Sequence, residues 1–263
     1  MERSAYIPAL AVYGLLAFST LLPGVVPVVA RHARALAMVA ITAHASVLAF
    51  GILQFMWGAS IHEALSSVSL ILMVWYCLDL RSRARAILAP LAVVLLGTAL
   101  VVPQGSVAAL SITGFSPWLP LHLGLMFAGL AGCAWSFVVG IAYLLVRWHL
   151  KNRRFEALGA LPPLEVLDRA QYRTTLLGFV FLTLGIGVGG VWAATTLAEP
   201  WFLDAKVIFT LIVWAWYGVT LLARRSGVSG RWGAVFSIIG FSGMIFSILF
   251  VNLLISGWHG VVR

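Results

Sequence analysis

The chain has 263 residues, of which 62% are apolar and only 10% are charged. Soluble domains are about half apolar and about a quarter charged, so this composition excludes most soluble folds and also intrinsic disorder. The formal net charge of +9 would suit nucleic-acid binding if the basic residues were clustered. They lie instead in short segments between long apolar runs, which predicts a polytopic membrane protein with no nucleic-acid partner.

Apolar runs of about 20 residues, the length that crosses a bilayer, indicate where the chain spans the membrane. The eight predicted spans are 6–29, 35–56, 64–80, 87–103, 119–146, 175–197, 205–222 and 233–256. The predicted fold class is therefore all-α, a polytopic membrane helical bundle. We expect one integral membrane domain over 1–263, with the first span retained rather than cleaved.

The basic residues are distributed unequally between the two ends of these spans. Fourteen of the 17 follow spans one, three, five and seven, and only Arg3, Lys206 and Arg263 remain for the other side. Cytoplasmic loops are enriched in Lys and Arg, so both termini are predicted to lie on the outer, periplasmic side. Residues 147–174 then form a cytoplasmic loop, too short for a nucleotide-binding domain, and residues 197–205 form an outer loop.

Span six contains a glycine-rich stretch that formally satisfies the GxGxxG pattern of dinucleotide-binding loops: Gly185, Gly187 and Gly190. No strand precedes this stretch, which disfavours a nucleotide site. The GxxxG spacing of Gly185 and Gly189 predicts close helix packing instead. Cys77 and Cys133 lie inside spans without a CxxC pattern, and we expect them to be packing residues.

Ionisable groups at or inside a membrane are costly, which makes the histidines informative. His62, His122 and His259 lie near the outer ends of three spans, and His44 lies near the middle of span two. Neutral imidazole ligates haem iron, and two histidines on different helices supply its two axial ligands. His122 and His259 are therefore a candidate ligand pair, and a hydrogen-bonded anchoring role is the alternative for each.

The outer loop adds aromatic and charged side chains to the same face. Trp201 and Phe202 offer flat apolar surfaces to a macrocycle, and Lys206 can neutralise a propionate. Asp204 precedes span seven, where a carboxylate either caps the helix or takes part in chemistry. Tryptophans are also typical of membrane boundaries, so an aromatic belt is the alternative interpretation of this loop.

Several motifs around these residues resemble those of the CcsA/CcmC/CcmF superfamily, the haem-handling membrane proteins of cytochrome c assembly. Residues 167–193 are similar to its LDxxxYRxxxxGFxLLTxGIxxGAVWA block, with Trp192 in the final VWA. The next stretch is similar to the tryptophan-rich WWD signature, on which Trp201, Asp204 and Lys206 fall. The resemblance is strongest with CcsA-type proteins.

The segments around His122 and His259 resemble those that carry the family's two haem-ligating histidines. The resemblance implies that these two residues hold haem b at the outer face, against a haem loop made of Trp192, Trp201, Phe202, Asp204 and Lys206. More weakly, residues 57–75 resemble a segment that has a family histidine at His62. His62 is accordingly a further haem-related candidate. His44 is another, as a possible substitute for a family histidine that this chain lacks, with a packed, hydrogen-bonded core role as the alternative.

The resemblance also implies a cellular role. It predicts a system II cytochrome c biogenesis protein of the bacterial inner membrane, surrounded by lipid. The implied partners are a CcsB-type membrane subunit and an apocytochrome c. Enzymatic activity stays open: an active chain would be part of a cytochrome c haem lyase or synthase.

The chain departs from the family pattern at four positions. Leu203 replaces a tryptophan, Ala205 a proline, Val207 a glutamate and Leu222 a histidine near the inner end of span seven. The short chain and its Leu-Pro-Pro-Leu-Glu loop are similar to those of the compact YpjD/HemX-like members. Leu203, Ala205 and Leu222 support a second hypothesis, a regulatory or scaffold subunit without haem ligation. A small-solute transporter is disfavoured because no pair of broken helices in inverted halves is visible.

Overall fold

The computed structural model of the protein describes residues 3–21, 26–53, 61–78, 85–101, 118–154, 162–196, 200–228 and 230–254. These ranges contain eight α-helices, two short 3₁₀ helices and no strand. Five helices are long and apolar enough to cross a membrane, and three shorter helices are also apolar. The predicted all-α membrane bundle is confirmed, whereas the side on which the termini lie stays a prediction.

Residues 1–104 form one compact unit, in which the structure describes four α-helices. They are α1 Ile7–Leu21, α2 Pro27–Leu53, α3 Ile61–Leu78 and α4 Arg85–Val101, with a 3₁₀ turn at Arg3–Tyr6 before α1. Helix α1 packs against α2 and α4, and α3 packs against α2 and α4. Proline is tolerated at the first position of α2 because its missing N–H would have no helical partner there.

Helix α2 begins earlier than the hydropathy pattern predicted. The second span was expected to start at residue 35, with Arg31 and Arg34 in a connecting segment, but both arginines lie within α2. The predicted first span, 6–29, likewise runs past the end of α1 at Leu21. Hydropathy detects the stretch that tolerates lipid, whereas a helix continues through charged residues of good helix propensity.

Residues 105–263 form a second compact unit, whose described residues also contain four α-helices. They are α5 Trp118–Lys151, α6 Leu164–Thr196, α7 Ala205–Arg225 and α8 Arg231–Leu254, with a 3₁₀ turn at Trp201–Leu203 before α7. Helix α5 packs against α6 and α8, and α7 packs against α6 and α8. A single domain over 1–263 stays a prediction.

The predicted cytoplasmic loop, 147–174, is helical at both ends. Helix α5 continues to Lys151, and α6 begins at Leu164, well before residue 175, where span six was expected to start. Pro162 and Pro163 are outside the helix, and the Pro163 carbonyl accepts a hydrogen bond from Leu167 N at 3.1 Å. The paired prolines therefore set the start of α6, and its polar first turns escaped the hydropathy prediction.

Glycines bring the backbones of α5 and α6 into contact. A Cβ atom added at Gly132 would lie 2.7 Å from Gly178 Cα, and one added at Gly178 would lie 3.0 Å from Cys133 Sγ. Any side chain at these positions would separate the helices. Cys133 is fully buried in this contact, which confirms its predicted packing role.

Candidate functional site

His122 lies near the start of α5, and its half-buried imidazole contacts α6. Its Nδ1 atom is 2.8 Å from the carbonyl oxygen of Gly185. A carbonyl oxygen only accepts hydrogen bonds, so Nδ1 carries the proton and donates, which leaves the ring lone pair on Nε2. Metal-ligating histidines usually hold their other ring N–H in this way.

Two glycines of α6 provide the space for this arrangement. A Cβ atom at Gly189 would lie 2.6 Å from His122 Cε1 and would overlap Nδ1. A Cβ atom at Gly185 would lie 2.8 Å from Met126 Sδ, whereas one at Gly187 would have no neighbour within 4 Å. The packing role predicted for Gly185 and Gly189 is therefore confirmed, and the imidazole is one of the groups that they admit.

Trp192 follows Gly189 by three positions and so lies on the same side of α6, one turn nearer its end. Its side chain is only 6% exposed. Its indole Nε1 has no hydrogen-bond partner within the described part of the chain. A buried N–H donor without an acceptor costs about 1–3 kcal/mol, so this donor is suited to an acceptor on a bound molecule.

The described part of the predicted outer loop, residues 200–205, lies beside α6. Trp201 Cη2 is 3.5 Å from the position of a Cβ atom at Gly190, so the indole rests on the helix. The rings of Trp201 and Phe202 meet edge to face with centroids 6.1 Å apart, and Phe202 is exposed. The start of α5, the end of α6 and the start of α7 lie at this end of the second unit. We call it the His122 end.

Asp204 is the N-cap of α7. Its Oδ1 atom accepts a hydrogen bond from the backbone N–H of Lys206 at 2.8 Å. Of the two roles that the sequence left open for Asp204, the structure shows capping. The half-buried side chain of Lys206 places a cation in the first turn of α7, close to the aromatic turn.

His44 lies in the first unit and is fully buried. Its Nδ1 atom is 3.1 Å from Tyr13 Oη, and its Nε2 atom is 2.7 Å from Ser66 Oγ. One ring nitrogen donates and the other accepts, so the imidazole joins α1, α2 and α3 through both nitrogens. These contacts favour the hydrogen-bonded core role for His44.

His62 is also buried in the first unit. Its Nδ1 atom donates to the carbonyl oxygen of Ala99 at 2.8 Å, which gives it the same tautomer as His122. The Tyr6 ring meets the imidazoles of His44 and His62 edge on, at centroid distances of 5.4 Å and 5.1 Å. His259, the other predicted ligand, and residues 197–199 of the outer loop lie outside the described residues.

The contacts of Asp168 were not predicted from the sequence, in which this residue was noted only as the acid of the LDxxxYR block. Asp168 Oδ1 accepts hydrogen bonds from Arg224 Nη1 at 3.0 Å and from Gly230 N at 2.8 Å. Gly230 has φ +63°, which favours glycine. This carboxylate therefore ties α6, α7 and the turn before α8 together at the end opposite His122. The sequence signal for this contact was an acid near the start of α6 and an arginine near the end of α7, which lie on the same side when successive helices run antiparallel.

A buried hydroxyl cluster was also missed. Ser136 Oγ lies 2.6 Å from Thr175 Oγ1 and 2.9 Å from Ser237 Oγ, and Gln171 Nε2 donates to Ser237 Oγ at 3.0 Å. The cluster joins α5, α6 and α8. Single hydroxyls in apolar helices have no sequence pattern that identifies their partners.

Comparison with known proteins assigns the chain to a family. The model of the family described as Cytochrome C assembly protein matches residues 9–259. The chain belongs to this family. The resemblance to CcsA-type cytochrome c assembly proteins, predicted from the motifs around His122 and residues 167–193, is confirmed.

The curated relatives carry the name cytochrome c biogenesis protein CcsA. The one from Thermosynechococcus vestitus is 31% identical over 181 residues, covering 55% of this chain and 57% of the relative. The one from Chlamydomonas reinhardtii is 31% identical over 147 residues, covering 55% of this chain and 40% of the relative. A longer match, to the protein of Trieres chinensis, is 28% identical over 258 residues, covering 82% of this chain and 83% of the relative.

The aligned regions cover only part of the first two relatives. The chain spans 57% and 40% of the length of the first two relatives. Family membership and a multi-pass helical membrane fold follow from the family match and the helices together.

Proposed function

We propose that this member of the cytochrome c assembly family handles haem at its His122 end. In this proposal His122 and His259 would hold the iron of a haem b. The observation that carries the proposal is the hydrogen bond from His122 Nδ1 to the Gly185 carbonyl. It selects the tautomer whose Nε2 atom ligates metals.

The other residues of the His122 end have complementary roles. The Trp192 indole N–H and the Lys206 ammonium suit the two carboxylates of haem, one as a hydrogen-bond donor and one as a cation. The exposed faces of Trp201 and Phe202 suit the apolar macrocycle. Asp204 acts indirectly, because capping α7 holds Lys206 in place.

When bound, haem would supply the vinyl groups that form thioethers with the reduced cysteines of an apocytochrome c. The chain's own residues bind and orient, so the proposal requires no acid and base pair. It includes a CcsB-type membrane subunit and an apocytochrome c as partners in the bacterial inner membrane, and makes the chain part of a synthase. His62 and His44 remain candidates for a separate haem-related position, although the contacts of His44 favour packing.

The absorption spectrum of the purified protein tests this proposal. We expect a low-spin haem spectrum from haem-replete cells, and about a tenfold or larger loss of bound haem in His122→Ala and in His259→Ala. His149→Ala is the control, because this histidine lies at the opposite end of α5 and donates to Leu145 O. A colourless wild-type protein, or equal loss of haem in the control, would overturn the proposal.

A second candidate function is a regulatory or scaffold subunit that keeps the fold without ligating haem. Two exposed leucines favour it: Leu203 and Leu222 are 65% and 63% exposed at positions where the family pattern has a tryptophan and a histidine. Under this alternative, a protein partner co-purifies stoichiometrically and no Soret band is present. Restoration of c-type cytochromes in a synthase-deficient host would exclude it.

A further inference from the structure

The last turn of α5 and the residues after it form a basic helix end, residues 148–154, which we call the α5 end. The N–H of Arg153 bonds to Leu150 O at 3.2 Å, and the N–H of Arg154 bonds to His149 O at 3.0 Å. This is a Schellman motif, in which the left-handed position usually holds glycine. Arg153 occupies it with φ +54°. Glycine would end the helix with less backbone strain, so an arginine at this position indicates a role for its side chain.

The α5 end projects beyond the helices that pack beside it. A Cβ atom at Gly230, just before α8, would lie 2.6 Å from Tyr143 Oη, so α8 begins level with Tyr143. A Cβ atom at Gly140 would lie 3.4 Å from Gln171 Nε2, so the antiparallel α6, which begins at Leu164, starts level with about residue 147. The α5 end therefore extends past both neighbours.

The length of α5 places this projection at a membrane surface. Its 34 residues measure about 51 Å, whereas the hydrocarbon core of a bilayer is about 30 Å thick. Trp148 is 47% exposed, and exposed tryptophans favour the headgroup region. The Arg154 guanidinium lies over the Trp148 ring, 5.0 Å from its centroid, so an aromatic ring and a cation are presented together.

The charge of the α5 end is not neutralised within the described residues. Lys151, Arg153 and Arg154 are exposed, and none has a carboxylate within ion-pair distance in the described ranges. The two acids described at this end of the second unit are already engaged. Glu165 pairs with Arg169 at 2.7 Å, and Asp168 pairs with Arg224 at 3.0 Å.

We propose that the α5 end binds the headgroup of an anionic phospholipid, with Lys151, Arg153 and Arg154 contacting the phosphate and Trp148 lying at the acyl boundary. Charge complementarity selects this occupant, because three cations and an exposed indole match an anionic headgroup above an apolar chain. A zwitterionic lipid offers no net charge to these cations. The site is independent of haem and of the His122 end.

Native mass spectrometry of the full chain in detergent, titrated with phosphatidylglycerol or phosphatidylcholine, tests this proposal. We expect a preference for phosphatidylglycerol, and about fivefold weaker binding of it for each cation removed, in Lys151→Gln, Arg153→Gln and Arg154→Gln. Arg169→Gln is the matched control, since it also removes one positive charge but from an arginine that already pairs with Glu165. Its affinity should stay within about twofold of wild type.

Arg153→Gly separates lipid binding from folding. Glycine adopts the left-handed conformation without strain, so the thermal midpoint should be unchanged or higher. Binding of phosphatidylglycerol should nevertheless weaken about fivefold. Equal affinity for the two lipids, an equal loss in Arg169→Gln, or displacement of the lipid by inorganic phosphate would overturn the proposal. Preferential binding of an acidic protein without lipid selectivity would also overturn it.

Discussion

His44 and His122 show how one residue type serves two environments in the same chain. His44, in the first unit, is fully buried and contacts Tyr13 Oη and Ser66 Oγ through its two ring nitrogens. His122, in the second unit, is half-buried and donates from Nδ1 to a backbone carbonyl. The former arrangement uses the imidazole to hold helices together, whereas the latter selects the tautomer that metal ligands adopt.

The two histidines are distinguished by the chemistry of their hydrogen-bond partners and not by their positions along the helices. Side-chain hydroxyls can donate or accept, so they satisfy either nitrogen of His44 and impose no tautomer. A carbonyl oxygen only accepts, so it imposes one on His122. A histidine in a membrane helix is therefore better judged by the chemistry of its partners than by its position in the span.

The largest expected effect comes from His44→Ala. The change leaves Tyr13 Oη and Ser66 Oγ without this partner and creates a cavity, so it should destabilise the protein by about 3 kcal/mol. Unfolding in a denaturing detergent measures this loss. His122→Ala should cost much less stability. If the two variants are equally destabilised, the contrast between the structural His44 and the proposed ligand His122 fails.

A smaller loss of stability is expected from Asp168→Asn. The change weakens the ion pair with Arg224, at 3.0 Å, in a partly exposed position, and should cost about 2 kcal/mol. The change lies at the opposite end of α6 from His122, so haem content per folded molecule should not change. Parallel measurement of stability and absorbance in this variant separates loss of fold from loss of ligand. A drop in haem content at unchanged stability would contradict this assignment.

The substitution Gly189→Ala displaces the His122 imidazole and leaves His122 itself in place. The new Cβ atom would overlap the imidazole, so the ring must move and bound haem should fall about tenfold. Gly187→Ala is the control, because its Cβ atom would have no neighbour within 4 Å. That variant should keep its haem and should be stabilised by about 0.5 kcal/mol, since alanine favours the helix. Identical haem spectra for the two variants would remove the support that Gly189 gives to the site.

The smallest effect is expected at Asp204. Asp204→Ala removes the cap of α7 and should cost about 1 kcal/mol, measured by thermal unfolding. Asp204→Asn keeps a capping oxygen and should be close to wild type in stability. If Asp204→Asn retains its stability but loses haem, the carboxylate charge acts on the site directly and capping is only part of its role.

Much of the site could be predicted because its residues belong to local motifs. The outer-loop aromatics, Asp204 and the glycine pair all came from short stretches, and the structure gave Asp204 its capping role and Gly189 its contact with His122. The contacts of Asp168 were not predicted, because Arg224 and Gly230 are more than fifty positions away along the chain and belong to none of the local motifs around Asp168. The polar starts of α2 and α6 were missed because hydropathy is insensitive to helical turns outside the apolar stretch.

The sequence by itself determined the all-helical membrane fold and the family, because long apolar runs have few other stable conformations in lipid and the motifs are contiguous. Tertiary structure alone decided that Nδ1 donates in His122 and in His62, that the buried Trp192 N–H has no acceptor among the described residues, and that Asp168 joins three elements. The reason is physical. Hydrogen bonds form over about 3 Å, and only the packing of the helices brings distant residues within that distance.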